Sequence, residues 1–110
     1  MNIITCSYLD EDYKNAIIKA LNKFENNICS ISSDVIFKDL PEYIGGAFNQ
    51  EKNEIYFNAN LTVDKFAEWN INSRLKTISQ LAYHEIGHSM GIIDEYDADL
   101  FAIEIGGINV

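Results

Sequence analysis

The amino-acid sequence predicts a small α+β domain, and three observations carry that prediction. The chain has 110 residues, 47% of them apolar and 23% charged, the proportions of an ordinary globular fold with one modest core. Short β-branched and aromatic segments alternate with stretches whose apolar residues recur at helical spacing. The last third reads as two helices joined by so short a turn that they must fold back antiparallel. The expected architecture is a single domain over residues 1–110. In it a small mixed sheet packs on one long helix, with an antiparallel helix behind.

Each element has a local reason. Asn2 to Tyr8 is short, apolar and β-branched, and reads as a first strand. Asp10 caps a helix from Glu11 to about Asn27, whose stripe Tyr13, Ile17, Leu21, Phe24 and Ile28 faces the core. Within Ser32 to Leu40, Val35-Ile36-Phe37 forms a second strand, which Pro41 ends. Gly45 to Asn49 and Glu54 to Asn58 flank the polar turn Gln50-Glu51-Lys52-Asn53, a hairpin. Thr62 caps a short helix over Val63 to Trp69, and Ser73 caps the long helix that takes Leu75, Ile78 and Ala82 into the core. Gly91 ends that helix. Asp94 then caps a final one, Glu95 to Ile105, which stops at Gly106-Gly107.

Charge and composition exclude several function classes. The net charge of −9 leaves no basic footprint for nucleic acid, and no Lys/Arg cluster suits an anionic membrane surface. No apolar run approaches the length of a membrane span. Met1 to Ser7 lacks the basic start and apolar core of a signal peptide, so a cytoplasmic protein is expected. Cys6 and Cys29 match no metal spacing and are expected to be reduced and buried. Oligomeric state has no signal in the sequence.

The chemistry is concentrated in His84-Glu85-Ile86-Gly87-His88, which holds the only two histidines of the chain. On a helix, residues four apart lie one above the other, so both imidazoles can face one metal ion. Glu85 is turned about 100° away on the same turn, where a base acting on a metal-bound water belongs. A catalytic zinc has three protein ligands and an open position. Candidates for the third are Glu95 and Asp94, then Asp97 and Glu104. In an antiparallel hairpin facing residues share one index sum, and His88 with Glu95 has the same sum as His84 with Asp99. The first pairing sets a carboxylate level with the second histidine. The other sets one where it can accept the first ring's remaining N–H.

This two-helix segment resembles the zincin metallopeptidases. It is most similar to their gluzincin branch, which takes in the minigluzincins and the HtpX-like and ImmA-type peptidases. Members pair His-Glu-x-x-His with a later helix carrying Glu-x-x-x-Asp, and Glu95-Tyr96-Asp97-Ala98-Asp99-Leu100-Phe101-Ala102 looks like that helix. The resemblance implies a zinc-dependent endopeptidase acting on a peptide or protein substrate. His84, His88 and Glu95 would be the ligands, Asp99 the support for His84, and Glu85 the base. It also implies an edge strand that binds extended peptide, either Gly46 to Asn49 or Glu54 to Asn58. A rival resemblance is to the metzincins in their snapalysin-like form, His84-Glu85-x-x-His88-x-x-Gly91-x-x-Asp94, which would make Asp94 the third ligand. Metzincins also need a methionine turn, and no methionine follows Met90. The oxyanion donor is left open among Tyr83, Tyr96, Tyr43 and Tyr56. Alternatives to an active peptidase are a non-catalytic metal-binding module working as a sensor or interaction domain, and a latent enzyme whose tail, Gly106 to Val110, fills the cleft. Glu85 argues against a purely structural site, which has no use for a base.

Overall fold

Two β-branched residues suffice for the first strand. In the computed structural model, which describes residues 1–107, β1 (Ile3–Ile4) pairs parallel with β2 (Asp34–Lys38), Ile3 opposite Val35. The expected strand over Asn2 to Tyr8 is therefore too long. The chain turns at once, with the Leu9 amide donating to the Cys6 carbonyl, because a parallel neighbour can be reached only through a crossover. That crossover is α1 (Glu11–Asn27). Asp10 caps it by accepting from the Tyr13 amide at 3.0 Å.

The sheet is mixed, ordered β1-β2-β4-β3, with β4 (Glu54–Asn58) parallel to β2 and antiparallel to β3 (Gly46–Asn49). This is a small α+β fold. Val35, Phe37, Ile55 and Phe57 alternate onto one face and are buried there, and α1 lays Tyr13, Ile17, Leu21 and Phe24 into the same cluster. Ile28, the last residue of the expected stripe, falls beyond the helix as its C-cap and is exposed. Cys29 next to it is exposed and Cys6 only half-buried, so neither thiol is fully sequestered.

The hairpin turns through Asn53 in the left-handed region (φ 53°), which asparagine tolerates. Beyond it, buried Asn58 donates to the carbonyls of Leu40, Pro41 and Ile44 and so ties down the loop before β3. Thr62 caps α2 (Val63–Trp69) as expected.

The long helix starts later than Ser73. In α3 (Ile78–Ser89), Thr77 accepts from the Gln80 amide at 3.1 Å while Gln80 accepts from the Thr77 amide at 3.2 Å. Such a reciprocal capping box satisfies two amides at once and outcompetes a lone serine. Ser73 instead accepts from the Leu75 amide within a loop, and Leu75 is buried from that loop rather than from the helix. Gly91 (φ 102°) turns the chain, and α4 (Glu95–Gly106) returns antiparallel against α3.

Candidate metal centre

α3 and α4 bring four side chains together. The Nε2 atoms of His84 and His88 are 3.1 Å apart. Glu95, in the first turn of α4, reaches both, with Oε2 at 3.0 Å from His84 Nε2 and Oε1 at 2.9 Å from His88 Nε2. One turn further on, Asp99 Oδ1 stands 2.8 Å from His84 Nδ1. Both facing pairs expected of the hairpin are thus in contact.

The outer partners of the rings decide what the inner atoms are. His88 Nδ1 faces the Ile92 carbonyl at 2.6 Å, which only accepts, so the proton of the neutral ring is on Nδ1. His84 Nδ1 is buried with the Asp99 carboxylate as its close polar neighbour, set off the N–H axis. A lone pair there would face an anion at 2.8 Å, so the proton belongs on this nitrogen too. In the neutral rings with Nδ1 protonated, both Nε2 atoms would offer lone pairs toward each other and toward the Glu95 carboxylate, the form that binds a metal. Two imidazole nitrogens and a carboxylate converging in this way suit a cation between them. Tetrahedral zinc with bonds of about 2.0–2.1 Å holds its ligand atoms about 3.3 Å apart, a few tenths more than the separations here. The donor set fits a metal ion.

The carboxyl of Glu85 also lies within 4.8 Å of the two imidazole donors, and the His84–Glu85–His88 group can hold a metal. Glu85 differs from Glu95 in its setting. It is 3% exposed, and burial first, then the charges of Glu95 and Asp99, push its carboxyl up to about 8. Asp94 is not at the centre: its Oδ1 accepts from the Asp97 amide at 2.9 Å as the cap of α4. Asp97 and Glu104 are exposed on α4 and do not line the cleft.

The cleft over these residues encloses about 910 Å³, walled on one side by β3 and the loop before it and on the other by Gly91 to Ile93. β3 is the edge strand, whereas β4 lies inside the sheet between β2 and β3. The Asn58 amide donates to the Gly45 carbonyl at 2.9 Å. By the alternation of an antiparallel ladder, the N–H and C=O groups of Gly46 and Phe48 point away from β4, into the cleft.

Of the candidate tyrosines, Tyr43 lines this cleft. Tyr83 does not. It is buried on the other side of α3, its ring 6.4 Å from that of Phe24. Tyr56 donates its hydroxyl to Glu54 at 2.8 Å, and Tyr96 lies under the Arg74 guanidinium.

Sequence reasoning missed Arg74, whose guanidinium stacks 4.6 Å over the Tyr96 ring and lies 3.5 Å from Asp99 Oδ2. Assigning residues 73–77 to the helix hid it, since a loop residue can reach across to α4 and a helical one would not. It also missed Trp69, whose indole N–H donates to the Tyr43 carbonyl at 3.1 Å and fixes the cleft wall. A lone tryptophan ending a short helix gives no hint of that partner.

No family model, curated protein or solved structure matches the chain. Among the described residues no helix is long and apolar enough to cross a membrane. Of the tail Gly106 to Val110 suggested to fill the cleft, Gly106 and Gly107 end α4 and do not line it, and residues 108–110 lie outside the described ones.

Proposed function

We propose that this protein is a zinc-dependent metallopeptidase of gluzincin type. The observation that carries the reading is the convergence of His84 Nε2, His88 Nε2 and the Glu95 carboxylate beneath the open edge of β3. Two imidazoles and a carboxylate, with room left for a further ligand, suit catalytic zinc. Bound there, the ion would polarise a scissile carbonyl and lower the pKa of water from near 16 towards about 7.

The chain's own residues supply the remainder. Asp99 and the Ile92 carbonyl hold the two rings with their lone pairs inward. Burial first, then the charges of Glu95 and Asp99, favours the neutral form of Glu85 in the metal-free chain. A cation held by the two histidines and Glu95 would favour the ionised carboxylate, and Glu85 would then take a proton from water as the water oxygen bonds to the peptide carbon. It then gives that proton to the departing amine, so that peptide and water become acid and amine. The outward N–H and C=O groups of Gly46 and Phe48 hold the substrate backbone as an added strand. Tyr43 is the tyrosine available to the oxyanion.

Mass spectrometry of the purified protein should find one zinc per chain, and a casein-like substrate should be cut without chelator and spared with it. Glu85→Gln should keep the zinc and lose nearly all turnover. A wild-type protein that holds zinc but cuts nothing would instead be the non-catalytic metal-binding module, and loss of zinc from Glu85→Gln would make Glu85 a ligand.

A further inference from the structure

We propose that Gly46 is a positioning residue for Glu85: the side chain missing from the edge strand leaves the space that holds the Glu85 carboxyl at the cleft. The inference rests on the peptidase reading and concerns how its base is placed. A Cβ built on Gly46 would lie 2.9 Å from both Cγ and Oε2 of Glu85 and 3.0 Å from its Cδ. Non-bonded carbons prefer about 3.5–4.0 Å, so these are collisions with one side chain along its length.

The register explains why the space exists. Gly46 pairs with Phe57 and Phe48 with Ile55, which puts all four on the face of the sheet that meets the helices. Phe57 and Ile55 are buried there and Phe48 packs against the same core. Gly46 alone offers no side chain, and the Glu85 carboxyl stands where one would be.

Backbone geometry does not demand this glycine. Among glycines, Gly91 is the one with positive φ, so residue 46 has a conformation that alanine adopts. Nor does the face in question admit substrate, since Glu85 occupies it. Neighbouring Gly45 serves a different end, as a Cβ there would meet the Trp69 ring at 3.0 Å and Leu81 at 3.2 Å. At Gly46 the atoms in the way belong to a side chain that can swing. Gly46→Ala should therefore fold, with its base pushed aside from the outward backbone groups of the same residue.

Zinc-loaded Gly46→Ala should lose about 10–100-fold in kcat, the scale of a misplacement near 1 Å. Its KM and zinc Kd should stay within about threefold of wild type. Combined with Glu85→Gln, it should add no further loss. A readout independent of turnover is the melting temperature. Gly46→Ala should lower Tm when Glu85 is present, and should leave it unchanged or raise it in a Glu85→Ala background, where Cγ, Cδ and Oε2 are gone. Unchanged kcat, a zinc affinity that falls in step with kcat, or the same Tm change in both backgrounds would each overturn the proposal. If zinc-loaded wild type shows no turnover, the peptidase reading fails by itself. The Tm comparison still decides whether residue 46 and Glu85 compete for one space.

Discussion

Without a bound metal, the stability of this protein should fall as pH rises, and the size of the effect follows from Glu85. In the folded, metal-free chain its carboxyl is pushed up to about 8, from an ordinary value of 4.5. Between those values the unfolded chain has released a proton that the folded chain retains, so rising pH favours unfolding. The stability tied to this group is complete below about pH 4.5 and gone above about pH 8. At 1.36 kcal/mol per pH unit, the window corresponds to on the order of 5 kcal/mol. An entropy of unfolding of about 2.1 cal/mol/K per residue makes each kcal/mol worth about 4 °C in a chain of 110 residues, and hence about 20 °C in all. The assay is a set of thermal melts in chelator from pH 4.5 to 8.5, for wild type and Glu85→Gln. Glutamine is neutral throughout, so the difference between the two curves removes every other titrating group. Saturating zinc should flatten the wild-type curve. Parallel curves for the two proteins in chelator would refute the argument, because they would mean that Glu85 is not held neutral by burial and by Glu95 and Asp99.

Other expectations concern the ligands and their supports. Glu95→Ala should cut zinc affinity severely, while Asp94→Asn should be mild, since asparagine caps a helix about as well as aspartate; titration with a competing chelator ranks them, and the reverse order would restore Asp94 as ligand. Asp99→Ala should cost about 10–100-fold in zinc affinity, as the loss of the carboxylate behind a liganding histidine does. Chelation at neutral pH should lower the melting temperature, because a metal joining α3 to α4 binds the folded chain alone. An unchanged melt after verified metal removal would argue against a site that bridges the two helices.

Much of this arrangement is legible in the sequence because it depends on short-range geometry. A spacing of four on a helix puts His84 above His88 whatever the rest of the chain does. One tight turn at Gly91 and one cap at Asp94 then determine which residues of α4 face them. The contacts of Glu95 with both histidines and of Asp99 with His84 follow from that hairpin alone. Caps at Asp10 and Thr62 are local in the same sense, each a side chain reaching three residues along. The start of α3 was local too, but two signals competed, and the reciprocal box at Thr77 and Gln80 prevailed over Ser73.

What the sequence left open are contacts between residues far apart in the chain. Choosing β3 over β4 as the edge required the parallel pairing of β2 with β4, which no hairpin signal contains. Tyr83 adjoins His84 in sequence, yet one residue's rotation of about 100° turns it off the cleft face, against Phe24. Arg74 reaches Asp99, and Gly46 makes room for Glu85, only because loop, strand and helices are packed together. Periodicity and caps are read along one strand of backbone. Which side chain fills the space left by another is decided by tertiary packing, where close contact leaves each volume to one occupant.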